Sequence, residues 1–98
     1  MNIEDIGERE IKTLPRAIMV NRDDNVAVVL SEVHAGDQVV LNTDWVEVAM
    51  QSIPPGHKMA IDYVKPGQPV IKFGEVIGFA VRLIQPGEHV YLHNLRIN

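Results

Sequence analysis

A chain of 98 residues with a formal charge of −4, 46% apolar residues and 22% charged residues has the balance of one globular domain, too short for a deep enzyme cleft of its own. The absence of cysteine excludes disulfides, thiolate metal sites and a cysteine nucleophile, and it fits a reducing compartment. Lys and Arg stand singly, which argues against nucleic acid; no run nears the roughly 18 apolar residues of a membrane helix, and the acidic start is unlike a signal peptide. The expectation is a cytoplasmic protein with no membrane or nucleic-acid partner.

Residues 1–15 differ from the rest. They are charge-rich, with Ile3, Ile6, Ile11 and Leu14 loosely on one helical face before Pro15 ends the stretch. This pattern suits either a short helix or an arm. From residue 16 to 98 the character is β. Ala17–Val20 is a compact apolar run, and Asn21–Asn25 is a polar turn, better read as Asx hydrogen bonding than as a cation loop. Val26–Leu30 reads as a strand buried on both faces, followed by strands at Val39–Leu41, Trp45–Met50, Met59–Tyr63 and Val70–Phe73. Val76–Ile84 is the longest apolar strand, with Gly78 marking a bulge or a close backbone approach, and His89–Leu95 is the last strand. Seven or eight short strands at this spacing predict a small all-β barrel or sandwich.

One turn phrase punctuates these strands. It reads apolar–x–(Pro/Ala)–Gly–x–x–apolar and starts at Val33, Ile53, Val64 and Ile84, placing its glycines at 36, 56, 67 and 87, with spacings of 20, 11 and 20. Pro-Gly sets a fixed φ before a residue free to take φ > 0, the requirement of a type II turn. The spacing suits either two related halves or one common solution used repeatedly. All four histidines, His34, His57, His89 and His93, fall within or just after these corners.

Two of the corners carry candidate chemistry. His57 and Lys58 follow Pro54-Pro55-Gly56 directly, so a rigid turn displays a group able to move a proton near neutral pH beside a cation able to meet a carboxylate. Their plainer reading is an exposed histidine and a solvated lysine. On the last strand His89, Tyr91 and His93 share a face. On a straight strand His89 and His93 stand ~13 Å apart, so both bind one metal ion only if the strand bends or another ligand such as His57 joins. Imidazole with carboxylate suits Fe, Mn or Zn. The plainer reading here is a polar edge strand.

Four motifs in register, Asp24–Val28, Ile53-Pro-x-Gly56-His57-Lys58, Val70–Gly74 with Ile77-Gly78, and Gly87–Val90 with His93-Asn94, resemble the N-terminal SAF-type domain of the altronate/galactarate dehydratase family. The resemblance spans Ala17 to Asn94 and includes the small subunits of sulfolactate sulfo-lyases. It implies a β-clip fold and a part in a sugar-acid hydro-lyase. It also implies a divalent metal, Fe²⁺ or Mn²⁺, and a large catalytic subunit or C-terminal domain that completes the site. In those terms His57 and Lys58 are the catalytic candidates, and His57, His89 and His93 the candidate metal ligands; the corners at Gly36 and Gly67 read as purely architectural, and His34 as incidental. Relatives often carry histidine where Tyr91 stands. Residues 74–82 resemble the galactarate type, whereas the tail 89–94 resembles the altronate or sulfolactate type. The alternative is a carbohydrate-binding or assembly module without turnover, and self-association is compatible with either.

Overall fold

In the computed structural model, the described residues are 2, 7, 13–42 and 45–97. Each corner glycine takes the left-handed backbone its turn requires, with φ of 91° at Gly36, 80° at Gly56, 83° at Gly67 and 91° at Gly87. In every corner the last residue donates its N–H to the carbonyl three residues back: Asp37 to His34, His57 to Pro54, Gln68 to Lys65 and Glu88 to Gln85, at 2.9–3.1 Å. A strand begins at the next residue each time. The corners thus launch β3 (Gln38–Leu41), β5 (Lys58–Ala60), β6 (Pro69–Lys72) and β8 (His89–Val90).

The other strands are β1 (Arg16–Ile18), β2 (Val26–Val29), β4 (Trp45–Val48), β7 (Glu75–Ala80) and β9 (Leu95–Ile97). Among the described residues, nine short strands form a six-stranded sheet in the order β4-β3-β1-β2-β5-β8 and a three-stranded sheet in the order β6-β7-β9. All pairings are antiparallel except β1 with β3. The all-β expectation holds, with one strand more than predicted because the final run is cut in two. Whether residues 1–15 form a helix falls largely on residues outside the described ones; Asn2 makes a bridge to Trp45.

The halves repeat at an offset of 31 residues, Gly36 to Gly67 and Gly56 to Gly87. The bridge Val33–Ile53 recurs as Val64–Ile84. The bonds from Gly36 N–H to Ala49 C=O and from Gly67 N–H to Ala80 C=O, both 2.8 Å, are equivalent. The register Ala27–Met59 between β2 and β5 returns as Lys58–Val90 between β5 and β8. Even the two non-glycine residues with positive φ, Asn42 and Phe73, obey the offset. The repeated phrase is therefore a repeated structure.

Val33, Ile53, Val64 and Ile84, the apolar heads of the four corners, are fully buried and anchor two core clusters. Burying each such side chain contributes about 1.5–3 kcal/mol. A polar staple links the two sheets. The Asp24 carboxylate accepts N–H bonds from Val20 and Asn21 (3.0 Å each) and from Gly74 across the structure (2.7 Å). Asn25 binds the Pro69 carbonyl and the Ile71 N–H (2.9 and 2.7 Å). Burial pushes the Asp24 carboxyl up, but the backbone N–H groups of Asn21, Gly74 and Val20 outweigh it, and the group is held below its ordinary value. Gly78 is a site of close approach: a Cβ there would collide with the Arg96 carbonyl oxygen and the Leu95 side chain. The β6–β7 register slips beside it, between Val70 and Ile71.

Candidate functional site

The Gly56 corner differs from its three equivalents in one respect. In the others, an acceptor side chain at the last position takes the N–H of the first: Asp37 from His34 (2.8 Å), Gln68 from Lys65 (2.8 Å) and Glu88 from Gln85. At Gly56 the first position is Pro54, which has no N–H to cap. The last position is His57, whose side chain is freed from the turn. Its backbone stays fixed, with its carbonyl accepting from Val29 N–H at 2.9 Å. The half-buried imidazole instead places Nδ1 2.9 Å from Nε2 of His89.

His89 is fixed in its turn by two side chains. Its N–H donates to Gln51 Oε1 (2.8 Å), and its carbonyl accepts from Asn94 Nδ2 (2.9 Å). Asn94 is fully buried and also accepts the Tyr91 N–H through Oδ1 at 2.9 Å. The Asn94 and Leu95 N–H groups both reach back to the Tyr91 carbonyl (3.1 and 2.9 Å). The predicted straight strand from His89 to Leu95 is therefore replaced by β8, a tight turn over residues 91–94 and β9. The bend brings the His89 and His93 rings to 5.7 Å between centroids. Tyr91 stacks on His89 (5.5 Å, 9°) and leans on His57 (5.1 Å), and the His57 and His89 rings are 5.1 Å apart.

Three of the sequence-predicted residues, His57, His89 and His93, thus meet in one cluster centred on His89, with Tyr91 against His57 and His89. Lys58 goes elsewhere. Strand alternation turns it to the face opposite Met59, between Val28 and Val90 of the neighbouring strands. Half-buried, its ammonium is pushed down by burial and further by Lys72. Among the described residues the ion pairs are those of His34, with Glu32 (3.4 Å) and Asp37 (3.7 Å), and none of these residues sets a carboxylate against Lys58. His34 stands apart from the cluster. Gln51 and Asn94 are site residues that the chain's pattern of strands does not announce, although an asparagine inside a supposed strand is itself a turn signal.

Burial pushes the His89 imidazole below its ordinary value, and His57, His93 and Lys58 push it in the same direction. In the 2.9 Å pair one nitrogen carries the proton and the other accepts it, and two positive rings at that distance repel. The cluster borders an open cleft of about 260 Å³ lined by Glu32, Val33, Ser52, Ile53, Pro54, Pro55 and His89. Two metal-bound nitrogens at bonds of about 2.1 Å and a right angle lie about 3 Å apart, so the separation of Nδ1 and Nε2 matches the bite of one ion. No group of three His, Asp or Glu side chains able to hold a metal ion occurs among the described residues. The described residues thus offer the paired nitrogens of His57 and His89 without a group of three around one point.

The chain belongs to a recognisable class of small all-β domains. The altronate/galactarate dehydratase SAF domain matches residues 15–98, and the chain is a member of that family. It is 38% identical over 81 residues to the altronate dehydratase of Escherichia coli K12, covering 83% of this chain and 16% of that protein. It is 38% identical over 88 residues to the (2R)-sulfolactate sulfo-lyase subunit alpha of Chromohalobacter salexigens, covering 81% of this chain and 90% of that subunit. The galactarate dehydratase (L-threo-forming) of Escherichia coli K12 is 36% identical over 75 residues, 74% of this chain and 14% of that enzyme. The chain thus spans about a sixth of the altronate dehydratase it matches. No helix among the described residues is long and apolar enough to cross a membrane.

Proposed function

We propose that this chain is the small component of a sugar-acid hydro-lyase of the altronate or galactarate dehydratase type, and that it supplies one wall of a site completed by a larger catalytic partner. The observation that carries the reading is the paired imidazoles of His57 and His89, held at 2.9 Å on an open edge in a member of this family. Two ligand positions without a third among the described residues leave room for groups from a partner. His57 Nδ1 and His89 Nε2 would hold a divalent ion, Fe²⁺ or Mn²⁺, with the remaining ligands supplied by substrate and partner. When bound, such an ion supplies positive charge to the carboxylate and hydroxyl of the substrate and makes the neighbouring C–H more acidic.

The chain's own groups divide the remaining work. His93 is the imidazole of the cluster outside the 2.9 Å pair, available to hold or pass the proton that leaves carbon or joins the departing hydroxyl. Tyr91 packs against the His57 and His89 rings and fixes their orientation. Lys58, lacking a carboxylate among the described residues, adds a positive field that favours an anionic substrate. The test is to mix the chain with its large lyase subunit and measure formation of the 2-keto-3-deoxy sugar acid. His57→Ala and His93→Ala are each expected to lower turnover by about a hundredfold or more. Unchanged turnover in both refutes the assignment.

A further inference from the structure

The internal repeat displays one backbone site in two chemical forms. Beside the bridge Val33–Ile53, the residues that flank it on the solvent side are Glu32 and Ser52. Beside the equivalent bridge Val64–Ile84 they are Tyr63 and Leu83. The backbone is the same and all four residues are exposed, so the fold itself accepts polar side chains there. Yet Tyr63 is 63% and Leu83 46% exposed. Large apolar groups left in water at a position where the repeat carries a carboxylate and a hydroxyl are accounted for by a surface that covers them. Two more exposed apolar residues lie near Leu83 in sequence or beside His93. Val81 (51% exposed) has its N–H held by the Asn94 carbonyl, and Leu92 (65% exposed) lies in the turn that carries His93.

We infer that Tyr63, Leu83, Val81 and Leu92 form the docking surface for the large catalytic lyase partner, which thereby arrives beside His93. The inference rests on the reading given under Proposed function. The domain is a sixth of one relative and nearly the whole of a separate subunit in another. A side-chain surface serves a fused and a separate partner alike, whereas a tether serves only the first. Docking by strand addition at the free edge of β8 is blocked, because the His89 N–H and C=O are taken by Gln51 and Asn94. Exposed Arg82, between Val81 and Leu83, calls for a carboxylate on the partner. A second copy of this chain would bring only the same incomplete set of ligands to the edge.

The experiment measures binding of the purified large subunit to immobilised chain, with folding checked by circular dichroism. Leu83→Glu and Tyr63→Glu are expected to weaken binding by roughly thirtyfold or more. Glu75→Gln, at an exposed position at the start of β7 and outside this surface, is expected to change it by less than about threefold. If folded Leu83→Glu and Tyr63→Glu bind as the wild type does, the docking surface is wrong while the two-component reading stands. If the wild-type chain fails to bind the large subunit, both fall. If the substitutions disrupt only self-association, seen by light scattering, the surface pairs copies of this chain and the inference is overturned.

Discussion

Asn94→Ala tests how the site is assembled. The Asn94 side chain makes two bonds, accepting from Tyr91 N–H and donating to the His89 carbonyl, both 2.9 Å, and it is fully buried. Removing it takes the partners from two part-buried backbone groups, at about 1–3 kcal/mol each where water does not replace them. A total loss of about 2–4 kcal/mol follows, or roughly 10–25 °C in Tm for a domain of this size. Urea denaturation gives the energy. Ring-to-ring NOEs between His89 and His93 give the geometry, because the turn alone keeps these rings 5.7 Å apart instead of extended along a strand. Asn94→Asp keeps the acceptor for Tyr91 but turns an oxygen toward the His89 carbonyl, so it is expected to cost at least as much. A loss below about 0.5 kcal/mol for Asn94→Ala, with the NOEs intact, would mean that the turn is held by other contacts and the reasoning fails.

Two pH effects follow from the charged groups. The folded-state value of Asp24 lies below its ordinary one, so its contribution is fully present above about pH 4 and is lost as pH falls through the lower folded value. Asp24→Asn is expected to cost about 2 kcal/mol at pH 7 and markedly less at pH 3; a gap that does not narrow contradicts the role given to its three backbone bonds. His89 is also lowered, but as a base: the unfolded chain takes up its proton first as pH falls through about 6.5, so stability declines on the acid side and is complete above that pH. An NMR titration of wild type and His89→Gln checks this, and a His89 that titrates above free histidine counts against the burial and neighbouring charges assigned to it.

The architecture was legible because its causes are local. A Pro-Gly or Ala-Gly pair declares a turn within four residues, and the alternation that follows declares a strand. The site was legible only in its membership. His57, His89 and His93 were identifiable as residues carried by two corners, but their meeting depends on contacts that no local pattern encodes. The alternation His89-Tyr91-His93 mimics a strand, and what breaks it is a bond from Asn94 to a carbonyl five residues earlier. Gln51 reaches His89 across 38 positions of sequence. The pairing of His57 with Lys58 by adjacency had the opposite difficulty, since neighbours on a strand point apart.

The repeat explains why chemistry gathers at one edge. A duplicated corner begins with two equivalent capping positions, and each can change only if its turn survives the loss of a cap. Proline at position 54 meets that condition, because it removes the donor that a cap would satisfy and its ring supplies stiffness. Position 57 is thereby released from structural duty, while its repeat equivalent, Glu88, keeps the cap on Gln85. The next residue in each half then diverges as well, Lys58 in one and His89 in the other. The register that repeats between β2–β5 and β5–β8 sets His89 opposite Met59, within reach of the freed His57. A third strand continuing the pattern would bury this edge. Gln51 and Asn94 cap β8 instead, leaving the imidazoles open to whatever completes the site.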